Sequence, residues 1–63
     1  MQKIIQILMR RDNLTIEEAW QTVHECQMEI DTILANPSGT LEQCEEALRY
    51  WLGLEPDYID YFM

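Results

Sequence analysis

The chain has 63 residues, 48% of them apolar, and carries twelve carboxylates against four bases, for a formal charge of −8 at pH 7. That length holds one small domain and excludes a second, and the apolar share excludes simple disorder. All twelve carboxylates fall in residues 12–63, where Arg49 is the single base and the net charge is −11, so the surface repels nucleic acid and anionic membranes and suits basic partners.

Residues 2–11 read as a first amphipathic helix, because Ile4, Ile5, Leu8 and Met9 recur at helical spacing while Lys3, Gln6 and Arg10 fall on the other side. Arg10 and Arg11 suit its negative C-terminal end. A turn at Asp12-Asn13-Leu14 leads into Thr15-Ile16-Glu17-Glu18, which has the capping-box form: the Thr15 hydroxyl accepts from the Glu18 N–H and the Glu18 carboxylate from the Thr15 N–H. The second helix, 15–35, places Ile16, Ala19, Trp20, Val23, Cys26, Ile30, Ile33 and Leu34 on one face. Glu17, Glu18, Gln21, Thr22, Glu25, Glu29, Asp31 and Thr32 fill the other. Asn36-Pro37-Ser38-Gly39 stops it, with Asn36 suited to a left-handed cap and Pro37 disfavouring a helical Asn36.

Thr40-Leu41-Glu42-Gln43 repeats the capping signature and opens a third helix, 41–52, with Leu41, Cys44, Ala47, Leu48, Trp51 and Leu52 on one side and Gly53 as its stop. Pro56 and Asp57 suit a helix's first turn, and the apolar tail Tyr58, Ile59, Tyr61, Phe62 and Met63 predicts a short helix over 56–62 folded back on the core. The fold expected is all-α: a small three-helix bundle with a short C-terminal helical turn, forming one domain over residues 1–63.

The residues supply little chemistry. Cys26 and Cys44 lie on apolar helix faces and read as buried free thiols rather than a disulfide. No C-x-x-C or H-x₃-H pair exists, and His24 and Cys26 project about 160° apart on a helix, so no metal site is expected. His24 has no nucleophile set beside it and no glycine-rich phosphate loop exists, so neither catalysis nor a cofactor is expected. No signal peptide and no membrane-length apolar run is apparent, and the expected location is cytoplasmic.

Two surfaces stand out. Glu18, Glu25 and Glu29 form a stripe on the second helix, the last two about 6 Å apart, near one nucleotide step along a strand. Glu42, Glu45 and Glu46 point outward from the third helix, although Glu45 and Glu46 both stand at neighbour spacing from Arg49. Met28, in the centre of the second helix's polar side beside His24, and Tyr50, at the edge of the third helix's apolar stripe, are residue types favoured at protein contacts.

In Leu14-Thr15-Ile16-Glu17-Glu18-Ala19 and Leu52-Gly53-Leu54-Glu55-Pro56-Asp57-Tyr58-Ile59 the chain resembles small helical proteins encoded by bacteriophages and other mobile elements of bacteria. The resemblance carries no catalytic residue. It implies a compact acidic protein that acts by binding a host protein, as inhibitors of nucleic-acid-guided defence nucleases do. The expected function is therefore a docking module that covers a basic surface of a host nucleic-acid-binding protein and inhibits it, binding neither nucleic acid nor membrane directly. Glu18, Glu25, Met28, Glu29, Glu42, Glu45, Glu46 and Tyr50 are its candidate contacts. The alternative is a structural or regulatory homodimer, which the small core favours: such a core rarely supplies more than about 3–5 kcal/mol unaided.

Overall fold

In a computed structural model describing all residues 1–63, α1 (Gln2–Asp12), α2 (Ile16–Ala35) and α3 (Leu41–Leu52) are followed by a 3-10 helix over Pro56–Tyr61. There are no strands, and the architecture is the small all-α bundle that the periodicity predicts. α2 is unbroken and, at 20 residues, is about 30 Å long. It is therefore the axis on which α1 and α3 pack, in a body 36 × 19 × 17 Å across. No helix is long and apolar enough to cross a membrane.

Local chemistry sets the boundaries. Both capping boxes form: Thr15 and Glu18 exchange bonds of 2.9 and 3.2 Å, and Thr40 and Gln43 exchange bonds of 3.1 and 3.2 Å. Each satisfies two of the N–H groups that a helix start leaves unpaired. α1 ends at Asn13, which takes the left-handed conformation at φ 56°, and α3 ends at Gly53, also left-handed at φ 63°. The end of α2 departs from expectation. Asn36 is extended, at φ −87° and ψ 128°, because Pro37 pushes the residue before it into the β region. Its side chain instead accepts from the Ser38 N–H at 2.9 Å, and its carbonyl from the Gly39 N–H at 2.8 Å. Gly39 closes this turn so near the Ile33 carbonyl that a Cβ there would collide with it.

The core is assembled from one stripe of each helix: Ile4, Ile5 and Leu8 of α1, Ala19, Val23, Cys26 and Ile30 of α2, and Cys44, Ala47, Leu48 and Leu52 of α3. Leu54, Ile59 and Phe62 close it from the C-terminal side, so the apolar tail folds back as its composition predicts. Tyr58 is half-buried, whereas Tyr61 and Met63 face outward. Five residues read as apolar-face positions stand at the margin of the core instead: Met9 of α1, Ile16, Trp20 and Leu34 of α2 and Leu41 of α3 are exposed. They sit at helix ends or at the outer edge of the stripe, where a bundle with only two long neighbours cannot cover the full width of α2.

Arg11 ties α1 to α3. Its guanidinium donates to the carbonyls of Leu52 and of Gly53, the latter at 3.2 Å, at the end of α3 where unpaired carbonyls concentrate negative charge. The same group pairs with Asp12 at 2.8 Å, which raises the Arg11 pKa and lowers that of Asp12 through their shared hydrogen bonds. Gln27 gives the second long-range anchor, donating to the Phe62 carbonyl at 3.2 Å.

Candidate functional site

The acidic stripe of α2 lies on the edge turned toward α3. With Cys26 as the inward reference and about 100° per residue, Glu25, Glu18 and Glu29 fall at roughly 260°, 280° and 300°, just outside the buried stripe. On α3 the facing edge carries Gln43, Glu46 and Tyr50. Two grooves follow this seam. One, of about 400 Å³, is lined by Glu29, Ile33, Gln43, Glu46, Ala47 and Tyr50. The other, of about 290 Å³, is lined by Leu14, Glu18, Gln21, Thr22, Glu25 and Trp51.

Trp51 links the two. Its indole N–H donates to Glu29 Oε2 at 2.8 Å, and its ring meets Tyr50 edge to face, with centroids 5.4 Å apart and planes at 84°. Tyr50 is 80% exposed, so the aromatic pair runs from a half-buried floor to a fully wet rim. The sequence pattern assigns Trp51 to the core and misses this role. The signal was present in the indole donor, which needs a polar partner wherever the ring is half-buried.

Two of the carboxylates are held rather than free to swing. Glu29 is fixed by Trp51, and Glu18 by the Thr15 backbone N–H at 2.9 Å. That backbone donor, followed by the Thr15 side chain, lowers the Glu18 pKa. Each bond occupies one oxygen and leaves the charge in place, so the seam presents carboxylates at fixed positions. Arg49 pairs with neither Glu45 nor Glu46, contrary to the neighbour-spacing expectation, since Arg11–Asp12 is the only ion pair in the molecule. The reason is general: an exposed pair on a helix gains little over hydration while losing side-chain freedom.

Of the eight residues singled out from the sequence, Glu18, Glu25, Glu29, Glu46 and Tyr50 line the seam. Met28, Glu42 and Glu45 do not. Met28 is exposed on the outer crest of α2, and Glu42 lies on the outer crest of α3. Glu45, about 100° from Cys44 on the side away from α2, is half-buried. A contact surface that includes all eight residues would have to wrap both crests, whereas five of them line the two grooves.

No family model, curated protein or solved structure matches the chain. The two cysteines are free and buried. Cys26 reaches the Ala47 carbonyl through its Sγ at 4.0 Å, and burial, reinforced by Glu29, pushes its thiol pKa up to about 11. Burial also raises the Cys44 pKa. Neither thiol is prepared to act as a nucleophile, since the reactive species is the thiolate. No three His, Cys, Asp or Glu side chains gather closely enough to hold a metal ion.

Proposed function

We propose that this protein is a small acidic docking module of bacteriophage or mobile-element origin. In this reading it lays the α2–α3 seam onto a basic, nucleic-acid-binding surface of a bacterial host protein in the cytoplasm and blocks that surface. The observation that carries it is the row Glu18, Glu25, Glu29 and Glu46 beside Trp51 and Tyr50, none of whose carboxylates is neutralised by a basic side chain of its own chain. Glu18 and Glu25 are seven residues apart and Glu25 and Glu29 four, giving intervals of about 10 and 6 Å along α2. Charge set along one edge of the helix supplies attraction and register, and the adjacent aromatic pair supplies apolar area that a nucleic acid would offer through its bases. Glu18 and Glu29 are already oriented by their hydrogen bonds, which reduces the ordering cost of association.

The test uses the intact chain as bait on bacterial lysate, eluting in turn with salt and with a short DNA duplex. The expected result is a retained protein that both eluents release. Retention should be lost when Glu25, Glu29 and Glu46 are changed together to Lys, with Glu18 left to cap α2 and the helical circular dichroism unaltered. Retention that the triple reversal leaves intact, or that DNA does not displace, would remove the reading.

A further inference from the structure

On the opposite edge of α2, Met9 of α1 and Ile16 and Trp20 of α2 lie together along the α1–α2 seam, over Ile5. They line a groove of about 420 Å³ whose polar margin is Gln2 and Gln6. All three are exposed, Trp20 by 46% and Ile16 by 55%. An indole and two aliphatic chains side by side form an unpartnered apolar face, of the kind that marks an association site when rimmed by polar groups.

The charges beside this face identify what covers it. α1 and α2 are joined only by Asn13, Leu14 and Thr15, so they run antiparallel as neighbours. Arg10 follows Met9 by about 100° around α1 and Glu17 follows Ile16 by about 100° around α2, so helical geometry sets the two charges on the outer rims of this face, Arg10 beyond Gln6, near the same level on the two helices. Both are exposed and neither is in an ion pair. A face with an apolar centre, an unpaired cation on one helix and an unpaired anion at the same level on the other is complementary to itself. A two-fold axis along the seam lays α1 of one copy over α2 of the other, joining Arg10 to the partner copy's glutamate twice, with the Trp20 rings at the centre.

We infer that this face is a homodimer interface and that its occupant is a second copy of the chain. A stable interface takes about 800 Å² from each partner, under a fifth of the 4501 Å² surface. The dimer leaves the α2–α3 seam open, and it neither needs nor contradicts the docking function proposed for that seam.

Sedimentation equilibrium on the intact chain, from about 5 to 500 µM, tests the inference. The expected result is a concentration-dependent dimer. Trp20→Ser should raise its dissociation constant about a hundredfold, and Ile16→Ser serves if the first variant loses its helical spectrum. Arg10→Glu should raise the constant about tenfold, and adding Glu17→Arg to it should restore the original value within about threefold. A single 7.6 kDa species across the range would overturn the inference and leave the face to a different protein. A dimer indifferent to the charge exchange would overturn the two-fold arrangement.

Discussion

Replacing Arg11 with Met keeps most of the side chain's apolar length and removes its donors. The wild-type guanidinium makes the only side-chain hydrogen bonds between α1 and another element, to the carbonyls of Leu52 and Gly53. A hydrogen bond to a charged group contributes about 1.5–3 kcal/mol where the acceptor would otherwise be buried. Here the side chain is 40% exposed, so water reaches the carbonyls once it is gone, and about 1–2 kcal/mol for the pair is the appropriate magnitude. Across 63 residues the unfolding entropy is about 0.13 kcal/mol/K, so the variant should melt roughly 8–15 °C below the parent. Thermal unfolding followed by circular dichroism reads this directly. Arg11→Lys should fall between the two, because one ammonium retains the charge without the two-carbonyl fork. A melting temperature for Arg11→Met within about 3 °C of the parent would refute the role of this clamp in holding α1 to α3.

Acid should weaken the fold through the first capping box. The Glu18 pKa is lowered in the folded state, so its contribution is complete above the unfolded carboxylate range and is lost as pH falls through the folded value. Glu18→Gln should flatten that acid-side decline in thermal stability, and a decline of unchanged steepness would count against the assignment. With its pKa near 11, Cys26 should react with a thiol reagent at neutral pH only as fast as the protein opens; rapid labelling under native conditions would contradict its burial. Leu48→Ala removes a side chain with no solvent exposure at the centre of α3 and should cost about 2–5 kcal/mol, comparable to the whole stability of so small a core, measured by urea titration. Trp51→Phe should lower stability by about 1 kcal/mol through loss of the bond to Glu29, and Glu29→Gln should recover little of it.

Helix boundaries were legible because both capping boxes are complete statements within four residues, Thr15 to Glu18 and Thr40 to Gln43. The buried stripe of α2 was legible from period alone at Ala19, Val23, Cys26 and Ile30. What period could not say is how wide a stripe the neighbours cover, which is why Trp20, Ile16 and Leu34 stand exposed although they share the apolar side. Asn36 and Asn13 show a similar limit: both are residues that tolerate the left-handed conformation, Asn13 adopts it, and Pro37 keeps Asn36 extended. In the candidate site, the stripe of Glu18, Glu25 and Glu29 came from helical spacing. The placement of Glu46 and Tyr50 against it, and of Glu42 and Glu45 away from it, required the docking angle of α3 on α2. Long-range partners such as Trp51 with Glu29, or Arg11 with the end of α3, join residues more than twenty positions apart and leave no local pattern.

The bond from the Trp51 indole to Glu29 makes the chain its own optical probe. Any cation that draws on that carboxylate perturbs the ring's electronic environment, so occupancy of the α2–α3 seam is written in the emission of Trp51 without an attached dye. Trp20 occupies the other flank of α2, and a pair of single-tryptophan variants would therefore report the two surfaces on separate channels.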